Sequence, residues 1–117
     1  MPSQFDLVTI DAPDTEALAA FYSAALDLHE VENEDDSRWI VLASADSVRR
    51  IGIQRGATVV GSVHLDIACP PIEFDAELAR LIEIGSTLIS EARHEPYGSI
   101  ANLADPDGNL FDLCGYH

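Results

Sequence analysis

Residues 5–12, FDLVTIDA, place Val8 and Ile10 on one face and Leu7, Thr9 and Asp11 on the other. Alternation of this kind predicts a half-buried strand. Pro13 ends it, and Asp14 is a natural N-cap for a helix. Leu18, Phe21, Tyr22, Ala25 and Leu26 recur at helical spacing, so a helix is predicted over 14–26, with Glu16 near its positive end. Asp27 closes it, because aspartate tolerates the left-handed conformation. Three extended segments come next, at 28–34, 38–43 and 48–55, with turns at Asp35-Asp36-Ser37 and Ser44-Ala45-Asp46-Ser47.

After a glycine-bracketed link at 56–61 the order repeats. Residues 62–68 alternate, with Val63, Leu65 and Ile67 against His64 and Asp66. Pro70-Pro71 stops that strand. Phe74, Leu78, Leu81 and Ile82 form a helical stripe that Gly85 is placed to close. Strands are predicted at 86–92, 98–104 and 109–115, with the turn Asp105-Pro106-Asp107-Gly108 before the last. The chain is thus an α+β repeat of two β-α-β-β-β modules, 5–55 and 62–115. Neither module can bury a sheet face alone, so one domain over 1–117 is expected. The modules pair within one chain or with those of a second.

Composition narrows the function. The hydrophobic share of 47% is enough for a packed interior. With 21 Asp+Glu against 6 Lys+Arg the net charge is −15, which argues against nucleic acid and against an anionic membrane surface. No apolar run approaches the ~18 residues of a spanning helix. Met1-Pro2-Ser3-Gln4 lacks a signal-peptide start, and Cys69 and Cys114 form neither a disulfide framework nor a CxxC motif. A cytoplasmic protein is expected.

Several stretches are similar to the vicinal-oxygen-chelate superfamily, and most of all to its small glyoxalase-like proteins. They are Thr9-Ile10-Asp11-Ala12-Pro13-Asp14 running on to Ala20-Phe21-Tyr22, Val63-His64-Leu65-Asp66, and Asp105-Pro106-Asp107-Gly108-Asn109 before Phe111. The resemblance implies two paired βαβββ modules curled into an open cup with helices outside, often built as a homodimer. It implies a small-molecule ligand or substrate, or a metal, in the cup. The donor set it points to, an imidazole with oxygen ligands, suits a divalent Zn, Ni, Mn or Fe. Matched residue by residue, the four metal-facing positions are Leu7, Gln54, His64 and Asp112. Alternation turns each of these away from the apolar face of its strand, and the separations 112 − 64 = 48 and 54 − 7 = 47 are nearly equal.

Leu7 cannot bind a metal, so the expected ligands are His64, Asp112 and Gln54. The competing reading of His64 and Asp112 is a hydrogen-bonded polar pair. Asp66 shares their face and completes an acid–base group, or else meets water at a strand end. Thr9 shares the face of Leu7. Trp39 stacks on a planar ligand or packs in the core. Tyr97 lies in a hairpin that covers the cup in related proteins, or is an exposed turn residue. Cys114 alternates with Asp112, lining the cup or simply buried. His29 and His94 are expected at the surface. Two functions remain open. One is a metal-assisted lyase or isomerase acting on a small oxygenated substrate. The other is a non-catalytic module that sequesters a cationic or aromatic compound.

Overall fold

The computed structural model describes residues 5–58, 60 and 64–116. The chain divides into two compact units, Met1–Thr58 and Val59–His117. Each is a βαβββ module, so the expected α+β architecture is present.

The first unit runs β1 (Val8–Ala12), α1 (Thr15–Leu26), β2 (His29–Glu34), β3 (Trp39–Ala43) and β4 (Arg50–Arg55). Asp14 caps α1 by accepting the Ala17 amide at 3.1 Å, and Asp27 ends it in the left-handed conformation at φ 53°. The sheet order is β1-β4-β3-β2, with β1 and β4 parallel and the other pairs antiparallel. Helix α1 packs over β3 and β4 and buries Leu18, Phe21 and Tyr22, and Ile40, Leu42, Ile51 and Ile53 are among the buried residues of those strands. The third extended segment begins at Arg50 rather than at residue 48. Asp46 accepts both the Ser44 hydroxyl and the Val48 amide, which prolongs the turn.

The second unit runs β5 (Leu65–Ala68), a 3₁₀ turn (Pro71–Glu73), α2 (Phe74–Glu83), β6 (Thr87–Glu95), β7 (Gly98–Ala104) and β8 (Leu110–Tyr116). The sheet order is β5-β8-β7-β6, again with the first pair parallel. Residues 61–63, which include the start of the predicted strand 62–68, lie outside the described residues, and β5 itself begins after His64. Gly85 comes after the α2 C-cap at φ 127°, a conformation that favours glycine. Phe74 and Leu81 of the helical stripe are buried, but Ile82 is 42% exposed. β6 runs on to Glu95 because Pro96-Tyr97 makes a tight hairpin into Gly98. None of the described helices is long and apolar enough to cross a membrane.

Phe111 and Leu113 on β8 are each 1% exposed. Gly115 shares their face, and a Cβ there would meet the Phe74 side chain at 3.3 Å, so this is the face under α2. The intervening residues Asp112 and Cys114 belong to the opposite face.

Candidate functional site

The turn before β8 fixes what that opposite face presents. Asp105 is 3% exposed, and its carboxylate accepts the amides of Asp107 and Asn109 and the Asn109 side chain, each at 2.9 Å. The Asp-Pro-Asp-Gly-Asn run therefore locks the β7–β8 hairpin. It sets Asn102 opposite Asp112, while parallel pairing with β5 sets Asp66 beside the same residue. Ser90 on β6 lies opposite Asn102. One row across four strands thus reads Asp66, Asp112, Asn102, Ser90.

His64, just before β5, leans over this row. Its Nε2 is 3.5 Å from Asp66 Oδ1 and 3.9 Å from Asp112 Oδ2. One ligand atom from each of the three residues falls within 4.8 Å of the others. The side chains of His64 and Asp66 are 57% and 68% exposed, that of Asp112 only 27%. Two carboxylates on adjacent strands repel, and a cation or imidazolium between them offsets that cost. Asp112 is held from its other side: Asn102 Nδ2 donates to its Oδ1 at 2.7 Å, and the Ser90 hydroxyl donates to Asn102 Oδ1 at 2.9 Å. Asp112 Oδ2 is the oxygen on the His64 side.

The set fits a divalent ion chemically. An imidazole with two carboxylates suits Mn²⁺, Fe²⁺, Ni²⁺ or Zn²⁺, and three protein ligands leave positions for an exogenous oxygen. Pairing Asp66 with His64 and Asp112 goes beyond the four positions that the resemblance implied.

The other expected residues are spread over both units. Cys114 is 6% exposed, one alternation along from Asp112. The Tyr116 phenol is raised from its ordinary value, first by its hydrogen bond with Cys114 and then by burial, the thiol and Asp66. Tyr97 is 57% exposed in the β6–β7 turn, its ring centroid 6.1 Å from that of Tyr116. His94 is exposed, rests edge-on against Phe74 with centroids 5.8 Å apart, and its Nδ1 lies 2.7 Å from the Ser99 hydroxyl. His29 is exposed, 3.8 Å from Asp27.

In the first unit the register reassigns a position. Leu7 precedes the pair Val8–Ile51 as His64 precedes Leu65–Phe111, so the β4 counterpart of Asp112 is Gly52, while Gln54 corresponds to Cys114. The residue-by-residue match to the family had placed Gln54, not Gly52, in that position. Gln54 is exposed, in register with Asp11 and Trp39. Thr9 is exposed beside Gly52. The Trp39 indole lies over Gly52. A Cβ there would meet its Cζ3 at 3.0 Å and Leu7 Cδ1 at 3.1 Å, with Cη2 closer still. The indole Nε1 donates to Glu32 Oε2 at 3.3 Å.

Sequence reasoning missed Asn102, Ser90 and Gly52. Asn102 was within reach, because Asp107 in the turn lies midway between it and Asp112.

The family model described as a glyoxalase-like domain matches residues 7–114. No curated protein matches the chain. Among solved structures it is similar to a glyoxalase/bleomycin resistance protein/dioxygenase family enzyme from Burkholderia phytofirmans, at 20% identity and TM-score 0.82, covering 98% of this chain and 100% of that one. The fosfomycin resistance protein FosX from Listeria monocytogenes, in a variant complexed with Mn(II) and 1S,2S-dihydroxypropylphosphonic acid, is similar at 20% identity and TM-score 0.81, covering 100% and 93%. FosX from Mesorhizobium loti is similar at 18% identity and TM-score 0.78, covering 100% and 94%. At these identities the likeness is one of fold.

Proposed function

The chain belongs to the glyoxalase-like domain family, and from that premise we propose that it acts on a small oxygenated molecule as a metal-assisted lyase or isomerase centred on His64, Asp66 and Asp112. The observation that carries this reading is the convergence of one imidazole and two carboxylates on one sheet face. Mn(II) in the Listeria relative makes that ion the first to test. A divalent cation held by His64 and Asp112, with the exposed Asp66 as an exchangeable third ligand, would supply Lewis acidity toward a substrate oxygen.

The protein's own groups do the rest. Asn102 holds one Asp112 oxygen and thereby fixes the carboxylate plane. The Asp66 carboxylate is exposed beside His64 and is the group placed to take or return a substrate proton. Cys114 and Tyr116, further along the same face of β8, offer a less polar surface to the remainder of the molecule. The test is metal analysis of protein purified without chelator. About one divalent ion per chain, lost in His64→Ala, is expected. A metal that survives both His64→Ala and Asp112→Ala refutes the assignment.

A second reading has its own observation. Trp39 lies over Gly52 with Glu32 at its indole nitrogen, an aromatic surface beside a carboxylate. That combination suits sequestration of a cationic aromatic compound. Absence of metal together with tight binding of such a compound would favour it. For either role we propose a homodimer in the cytoplasm. Sizing by light scattering tests the first, and the free Cys69 and Cys114 accord with a reducing compartment.

A further inference from the structure

We infer that Asn102, backed by Ser90, is a positioning residue that makes Asp112 a one-oxygen ligand. The inference rests on the proposed metal site and extends it to two residues outside the ligand cluster.

Hydrogen-bond chemistry fixes the direction of the relay. The Ser90 hydroxyl can donate or accept, so it tolerates either orientation of the Asn102 amide. The Asp112 carboxylate only accepts, so it demands the Asn102 NH₂ group. With Nδ2 committed to Asp112 Oδ1 at 2.7 Å, Asn102 presents Oδ1 to the Ser90 hydroxyl, which donates at 2.9 Å. Asp112 selects the amide orientation and Ser90 holds it. Occupation of Oδ1 leaves Oδ2, the oxygen 3.9 Å from His64 Nε2, to face a cation.

The backbone supplies an independent sign that the relay is built. Leu88 pairs with Leu103, so regular pairing would set Ile89 opposite Asn102. A register shift between Leu88 and Ser90 brings Ser90 there instead, and a second shift occurs before Arg93 pairs with Ile100. Bulges re-aim side chains and gather beside functional sites. Here the shift exchanges an apolar side chain for a hydroxyl opposite the amide that holds the candidate ligand. Ile89 is 55% exposed, so gaining a buried apolar contact does not account for the shift.

The test is Mn(II) affinity, measured by electron paramagnetic resonance on the full chain, for the unaltered protein and for Asn102→Leu, Asn102→Ala, Ser90→Ala and Ser90→Thr. Outer-shell partners of metal ligands are worth roughly 10–100-fold in affinity, so both Asn102 variants are expected to weaken Mn(II) binding by that factor. Ser90→Ala is expected to weaken it by about 3–10-fold, at or below the lower end of that outer-shell range, and Ser90→Thr to restore it. Thermal unfolding of the metal-free proteins separates folding loss from ligand positioning, and the rescue by Ser90→Thr has no counterpart in a purely structural role. Unaltered protein that binds Mn(II), with unchanged affinity in Asn102→Leu and Ser90→Ala, overturns the inference alone. Unaltered protein that binds no Mn(II) overturns the metal reading and the inference with it.

Discussion

Gly52→Ala adds one methyl group where the Trp39 indole lies. The new carbon would meet Cζ3 at 3.0 Å and Leu7 Cδ1 at 3.1 Å, with Cη2 inside any permitted contact. Something must move, and the backbone has little freedom. Gly52 is paired on one side with Thr9 and on the other with Val41, and both Gly52 and Val41 are buried. The indole is the part that yields. Overpacking costs about 1–3 kcal/mol, and losing the indole hydrogen bond to Glu32 adds about 1 kcal/mol. Alanine recovers about 0.5–1 kcal/mol because glycine loses more backbone entropy on folding. The net expectation is a destabilisation of about 1–3.5 kcal/mol, measured by urea unfolding. Trp39 is the single tryptophan of the chain, so its emission reports the displacement directly. A red-shifted spectrum with a lowered unfolding midpoint is expected. Unchanged emission and midpoint in Gly52→Ala would refute the claim that the indole occupies this space.

Phe111 is 1% exposed on the α2 side of β8, next to Asp112, so Phe111→Ala is expected to cost about 3–5 kcal/mol in chemical denaturation. A loss under about 1 kcal/mol would mean that β8 is not packed as described. Cys69 is raised from its ordinary thiol value, first by burial and then by Glu77 and Glu73. The folded protein therefore holds the Cys69 proton to higher pH than the unfolded chain. The stability linked to that proton is present below the unfolded thiol pKa and is lost as pH rises through the folded one. Alkylation of Cys69 by iodoacetamide at about pH 8.5, near the ordinary thiol pKa, is expected to be several-fold slower in the native protein than in urea, as read by mass spectrometry. Equal rates would count against the burial.

Element order was readable from the sequence because it rests on local signals. Asp14, Asp27 and Gly85 bound their helices through backbone chemistry that a sequence displays. Alternation likewise put Phe111 and Leu113 on one face and Asp112 on the other. Register was harder. The expected equivalence of Gln54 with Asp112 came from the match to the family, with near-equal spacing along the chain in its support, whereas the backbone ladder makes Gly52 the counterpart. Ser90 was hidden for a related reason: its place opposite Asn102 depends on a bulge, and counting along a strand assumes none. The charge pattern told little about the site, because most of the acids that give −15 lie on turns, helix starts and exposed strands such as β2.

The two modules share a topology and a register but not a surface chemistry, and the difference is concentrated in one cross-strand row. In the second unit the row is Asp66, Asp112, Asn102 and Ser90, every member polar and the last three linked by hydrogen bonds. In the first unit the equivalent row is Thr9, Gly52, Val41 and Glu32, with Leu7 in the place of His64. A carboxylate at position 52 would need the space that the Trp39 ring fills. Leu7, whose Cδ1 would lie 3.1 Å from a Cβ at position 52, has no donor atom to offer a cation. A polar row of candidate ligand groups in one module and an aromatic surface in the other are therefore alternatives for the same register position. A repeated backbone lets each module commit to one of them without altering the strand pairing that both require.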